Sequence, residues 1–158
     1  MMEQPASVDM TFAEAIREAT ALCLKRHPEA FVIGLGVPDP KGIFGTTSGL
    51  LAEFGPERVL DAPLSENALT GLIIGAALGG MRPILTHQRV DFGLLSMEQI
   101  VNQAAKWFYM FNGQGGTIPI VVRMVIGRGW GQGPQHAQSL TSWFAHIPGL
   151  KVVAPASP

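Results

Sequence analysis

A handful of side chains in this sequence are of kinds that move protons or hold ring ligands, and each stands at the edge of an apolar run. Glu66 opens "ENALTGLIIGAAL", after which no charge appears until Arg82. His87 closes "RPILTH", Phe92 follows it closely, and His136 closes "GRGWGQGPQH". A carboxylate in the first turn of a helix is already favoured by the helix dipole. If it is also desolvated, its pKa rises and it can share a proton with a ring nitrogen, as a general acid or base does near neutral pH. Imidazole titrates at about 6.5, which makes His136 the natural proton carrier, although a lone loop histidine is more simply a surface hydrogen-bonding residue. The four histidines share no close ligand spacing, so no protein-built zinc site is expected. Glycines at 127, 129, 131 and 133 suggest a phosphate cradle, but Trp130 and Pro134 break the dinucleotide fingerprint. A loop bordering a binding cleft is the expectation, since so many glycines serve close backbone approach or movement.

The elements that must position these groups alternate in type. Thr11 with Glu14 forms a capping-box pattern, and Phe12, Ile16, Ala19 and Cys23 then share one face, which predicts a helix over 12–26. "FVIGLG" (31–36) predicts a buried strand, ended by "VPDPKG". A short helix is expected over 48–54, stopped at Gly55–Pro56, then a short strand in "RVLDAP". Ser65 is placed to cap the helix carrying Glu66, whose apolar residues all round predict full burial. Further expectations are a strand over 82–87, a long helix over 94–110, a strand over 118–126, a short helix over 138–145 and a last strand over 150–154. The sum is an α/β fold, a mostly parallel sheet with helices on both faces. Ligands bind such sheets at the carboxyl ends of the strands, where Glu66, Phe92 and the 127–136 loop all fall. Arg58, Arg82, Arg89, Arg123 and Arg128 read as element-end charges and partners for Asp61 and Asp91. Trp107, Phe108 and Tyr109 read as core and interface packing.

Composition excludes several classes of function. The 158 residues suit one compact domain, and 11 basic against 12 acidic side chains leave no basic stripe for a nucleic acid. The longest apolar stretch, 68–81, falls short of the roughly 20 residues of a membrane span. The first ten residues have neither the basic start nor the apolar core of a secretory signal. One cysteine allows no intrachain disulfide and suits a reducing compartment, so a cytoplasmic protein is expected.

In "FGPERVLDAPLSE", "GAALGGMRPIL", "QIVNQAAKWFYM", "GPQHAQS" and "WFAHIPGLKVVAP", taken in order, the chain resembles the thiamine-diphosphate enzymes. The likeness runs from Thr11 to Pro158, after a tail of residues 1–10, and is to the pyrimidine-binding domain of the beta subunit of 2-oxo acid dehydrogenases of the pyruvate, branched-chain and acetoin type. It implies that Glu66, in the "LSE" motif, hydrogen-bonds the aminopyrimidine ring and promotes the imino tautomer that deprotonates the thiazolium. It implies that Leu64 and Phe92 help hold the ring, that His136 serves reaction with a lipoyl acceptor, and that Ile120 matches a carbonyl of a partial potassium site. His87 and Gln135 fall on the substrate or acceptor side. The resemblance further implies thiamine diphosphate as cofactor, with Mg²⁺ held by an alpha-type partner subunit, since no G-D-G signature with a downstream Asn is present. A hetero-oligomer, a lipoyl-bearing acyltransferase and a small 2-oxo acid complete the expected company, with no nucleic acid and no membrane. Thr86–His87 stand where the dehydrogenases usually carry an acidic or amide residue followed by Phe. Beta subunits also continue into a second domain, so a split or truncated chain is expected. Two rival readings stay open: a split transketolase- or decarboxylase-type subunit that uses no lipoyl acceptor, and a non-catalytic truncated remnant.

Overall fold

The computed structural model describes residues 9–127 and 132–158. Helix α1, Phe12–Arg26, begins as its capping box dictates: the Glu14 amide donates to Thr11 Oγ1 at 3.3 Å, and the Thr11 amide donates to the Glu14 carboxylate at 2.7 Å. Its far end is tied down by Arg58, whose guanidinium donates to the carbonyls of Leu24 (2.9 Å) and His27 (2.8 Å) and to that of Ala30. The carbonyls of Leu24 and of the C-cap His27 lie at the negative end of the helix dipole, where a cation is favoured as well as hydrogen-bonded.

Strands β1 (Ala30–Ile33), β2 (Val59–Leu60), β3 (Arg82–His87) and β4 (Val121–Met124) form one parallel sheet in the order β2-β1-β3-β4. Successive residues of β1 serve opposite faces. Ala30 and Val32 join Leu24, Val37, Leu50 and Ile84 beneath α1, whereas Phe31 and Ile33 join Leu69, Ile73 and Leu85 beneath α3 (Glu66–Leu78). A third cluster, Val90, Ile100, Leu140 and Phe144, lies beside β4. The sheet is thus covered on both faces, as its continuous β-branched runs predict.

Several expectations require correction. The helix carrying Glu66 is not buried all round: Leu69, Ile73, Ile74 and Ala77 pack inward, while Leu72 is 52% and Leu78 43% exposed. Its N-terminus receives no side-chain cap from Ser65. The span 94–110 is not one α-helix. Short helix α4 (Val90–Gly93) runs into a 3-10 turn (Leu94–Ser96), a π-helix (Glu98–Ala104) and helix α5 (Trp107–Met110). The Ala105 amide reaches back five residues to the Ile100 carbonyl at 2.9 Å, the bonding that widens a helix to π geometry. Residues 150–154 form no strand, because an apolar run becomes one only when a neighbour pairs its backbone, and Val153 is 80% exposed. Helix α2 (Leu50–Phe54) starts two residues late, after Gly49 in the left-handed region at φ 74°. The first strand ends at Ile33, β4 is shorter than 118–126, and helix α6 is limited to Thr141–Ala145. Asp61 and Asp91 pair with amides rather than arginines, while Arg82 pairs with Glu29 at 2.8 Å. The aromatic stretch is not core, as Tyr109 is 88% exposed. Among the described residues no helix is long and apolar enough to cross a membrane.

Candidate cofactor site

In the order β2-β1-β3-β4 the chain departs from β1 in both directions, so the loops after β1 and β3 diverge and leave a crevice at their carboxyl ends. A cleft of about 70 Å³ occupies that place, lined by Leu35 after β1, Pro63–Ser65 before α3, Glu66 and Leu69 on α3, Thr86, His87 and Gln88 at the end of β3, and Phe92 on α4. Backbone proximity makes the crevice narrow at its floor: a Cβ on Gly34 would overlap the Thr86 carbonyl. Its walls are tied together. Asp61 Oδ1 accepts from the amides of Gly36 (2.9 Å) and Ala62 (2.8 Å), and the Gln88 side-chain amide donates to the Leu35 carbonyl at 3.3 Å.

Glu66 is half-buried on one wall. Its backbone carbonyl is held by two hydroxyls, Thr70 Oγ1 at 2.8 Å and Ser96 Oγ at 3.0 Å, while its carboxylate makes no hydrogen bond or ion pair among the described residues. The main chain is clamped and the acid group is left for a ligand. Ser96 Oγ also lies 2.9 Å from Thr70 Oγ1 and 3.2 Å from His87 Nε2. Burial pushes the His87 imidazole below its ordinary pKa, and the nearby Glu66 charge opposes that shift.

Phe92 and His136 meet edge to face, ring centroids 5.2 Å apart at 80°. The contact is fixed by Asp91, whose Oδ1 accepts from the Gln138 amide (3.2 Å) and side chain (2.8 Å), pinning the segment that bears His136 against α4. His136 Nδ1 is buried with no partner in the described chain, a polar atom of the kind a bound group satisfies. Of the residues expected at the site, Glu66, Leu64, His87 and Phe92 therefore share one cleft and His136 adjoins it through Phe92. Leu64, 76% exposed, stands at the mouth, and Gln135 is exposed beside His136. The Ile120 side chain packs against the α3 cluster. Residues 128–131 of the glycine-rich loop lie outside the described residues. Sequence reading missed Thr70, Ser96, Asp91 and Gln138, whose only signal is polarity within apolar surroundings.

The lining suits an aminopyrimidine: an unclaimed carboxylate for a ring nitrogen, an aromatic face and apolar side chains at the mouth. Among the described residues its lining holds no lysine or arginine. Comparison with known proteins agrees. Residues 8–158 match the family model described as transketolase, pyrimidine binding domain. The chain is 42% identical over 146 residues to the pyruvate dehydrogenase E1 component subunit beta of Rhizobium meliloti, covering 92% of this chain and 32% of that protein. It is 43% identical to the same subunit of Rickettsia conorii, covering 95% of this chain and 46% of that one. Identity is 45% to the acetoin:2,6-dichlorophenolindophenol oxidoreductase subunit beta of Cupriavidus necator, covering 91% and 45% respectively. The chain spans 32% to 46% of the length of these relatives, and it belongs to the transketolase pyrimidine-binding domain family.

Proposed function

We propose that this chain supplies the aminopyrimidine half of a thiamine-diphosphate site, completed by an alpha-type subunit that holds the diphosphate and Mg²⁺, for oxidative decarboxylation of a small 2-oxo acid. The observation that carries the reading is the Glu66 carboxylate, without a partner among the described residues, in a cleft at the switch point of the sheet and within one lining with Phe92. When bound, the cofactor supplies the electron sink for decarboxylation. Glu66 holds a proton at its carboxyl oxygen against a ring nitrogen, and the clamp on its carbonyl keeps that oxygen in place. Phe92 and Leu64 orient the ring and exclude water from it. His136, held by its contact with Phe92, moves a proton in the later acyl-transfer step, with Gln135 beside it, and a lipoyl-bearing acyltransferase is the acceptor. The single cysteine supports a reducing, cytoplasmic setting.

Calorimetry of thiamine diphosphate with Mg²⁺ tests the reading. Heat is expected only when this chain is mixed with the alpha-type subunit, and Glu66→Ala should abolish it. A Glu66→Gln complex with full activity would refute the mechanism. A second reading, a split transketolase- or decarboxylase-type subunit without a lipoyl acceptor, is favoured by one observation: His87 puts a polar ring in the cleft wall. Activity with a soluble electron or aldehyde acceptor but none with a lipoyl domain would decide for it.

A further inference from the structure

The hydroxyl network behind Glu66 determines which nitrogen of His87 carries the proton. Ser96 Oγ has one hydrogen and three neighbours: the Glu66 carbonyl at 3.0 Å, Thr70 Oγ1 at 2.9 Å and His87 Nε2 at 3.2 Å. The Thr70 and Ser96 hydroxyls bring two hydrogens to a triangle of contacts closed by the Glu66 carbonyl, which only accepts, so giving the Ser96 hydrogen to that carbonyl satisfies one more contact than giving it to His87. Whichever partner Thr70 chooses, Ser96 Oγ then turns a lone pair to His87, and Nε2 must bear the hydrogen. That leaves Nδ1 with the bare lone pair. No hydrogen bond to Nδ1 occurs among the described residues, the atom is not among the sealed and unpartnered ones, and the ring lines the cleft. Among the described residues Glu66 is the only other ionisable side chain in that lining.

We infer that His87 is a neutral hydrogen-bond acceptor of the cleft, its Nδ1 taking an N–H or O–H donor of the bound ligand. The inference rests on the cleft being the ligand site proposed above. Burial, which disfavours imidazolium, keeps that lone pair available at neutral pH. An amino group on the cofactor ring and a hydroxyl on a carbonyl substrate both carry the required donor, and an apolar wall at residue 87 would recognise neither.

Two measurements test this. Long-range ¹⁵N spectra of the full chain with ¹⁵N-labelled histidine should show His87 as the Nε2–H tautomer, with the preference lost in Ser96→Ala. An Nδ1–H tautomer overturns the inference. In the mixture with the alpha-type subunit, His87→Phe should weaken thiamine-diphosphate affinity about five- to tenfold if the donor is on the cofactor. If the donor is on the substrate, affinity stays and the kcat/KM ratio of a hydroxylated over an unsubstituted 2-oxo acid falls by a similar factor. His87→Asn, which keeps an acceptor, should recover part of either loss. Neither quantity moving in His87→Phe overturns the inference. Glu66→Ala that still binds the cofactor would instead sink the proposed function and leave the His87 tautomer standing.

Discussion

The two faces of the sheet are finished to different degrees. Under α1 every device of a self-sufficient surface is present: a capping box, Arg58 across the last carbonyls, and a rim in which Glu53 pairs with Arg17 (2.6 Å) and Lys25 (2.7 Å). On the other face α3 carries no charge after Glu66 and no side-chain cap, and it leaves Leu72 and Leu78 in the open; further along the chain Phe108, Tyr109, Met110 and Phe111 are exposed as well. The candidate site belongs to this second face, through Glu66, Thr70, Ser96 and His87. The contrast teaches that stability and recognition have been placed on separate faces. An apolar face left open costs little in the folded chain but has to be covered to stop self-association.

The contrast can be broken most severely from the finished side. Leu24→Ala should cost about 2–5 kcal/mol in urea unfolding, since Leu24 is fully enclosed. Leu72→Ala on the open face should change it by no more than about 0.5 kcal/mol. Equal losses would show that α3 is covered in solution. Next in size, Arg58→Ala removes a donor from three carbonyls, of which that of His27 keeps the Ala30 amide at 2.9 Å, and should cost about 1–3 kcal/mol, read from the same unfolding curves.

A smaller effect of opposite sign is expected at β4. Arg123 Nη2 donates to Thr86 Oγ1 at 3.2 Å, but Nε and Nη1 are buried without partners, and desolvation lowers the guanidinium pKa to about 10. A half-buried cation with no acid beside it among the described residues is a liability, so Arg123→Met should gain about 1 kcal/mol. The thermal midpoint should then rise by about 2–4 °C; a fall would mean that Arg123 has an anionic partner in solution.

The smallest effect is a slope. The folded chain holds His87 below its ordinary value of 6.5, so the unfolded chain takes up the proton first as the solution is acidified. The contribution of neutral His87 is therefore complete above that value and is lost as pH falls through the lowered one. His87→Phe should flatten the fall of the urea midpoint as the solution is acidified through and below the ordinary value of 6.5. Glu14, Glu29 and Glu53 are shifted downward from 4.5, so their losses fall in a lower window. An unchanged slope in the variant would place His87 in water.

What the amino-acid order made legible was whatever depends on neighbours a few residues apart. Thr11 and Glu14 mark the start of α1, "RPILTH" is β3 from end to end, and Glu66 opens its helix where the charge pattern places it. The convergence of Glu66, His87 and Phe92 was foreseeable too, because a parallel sheet puts all strand ends that point one way at one edge. The π-helix was not, since its widening answers to packing around Ile100 rather than to any residue preference. Nor was the bare tail, where "LKVV" has the composition of a strand but no ladder to join.

The sequence by itself determined the alternation of helix and strand, the family and the acid at the head of α3, because periodicity, caps and motifs are local properties. Only the tertiary structure decided that β1 and β3 flank a crevice, that Ser96 reaches Thr70 across 26 residues, and that Asp91 holds Gln138 across 47. Such contacts are made by strand order and by helices crossing a sheet, and the direction of a hydroxyl hydrogen, and with it the character of His87, exists only once they have formed.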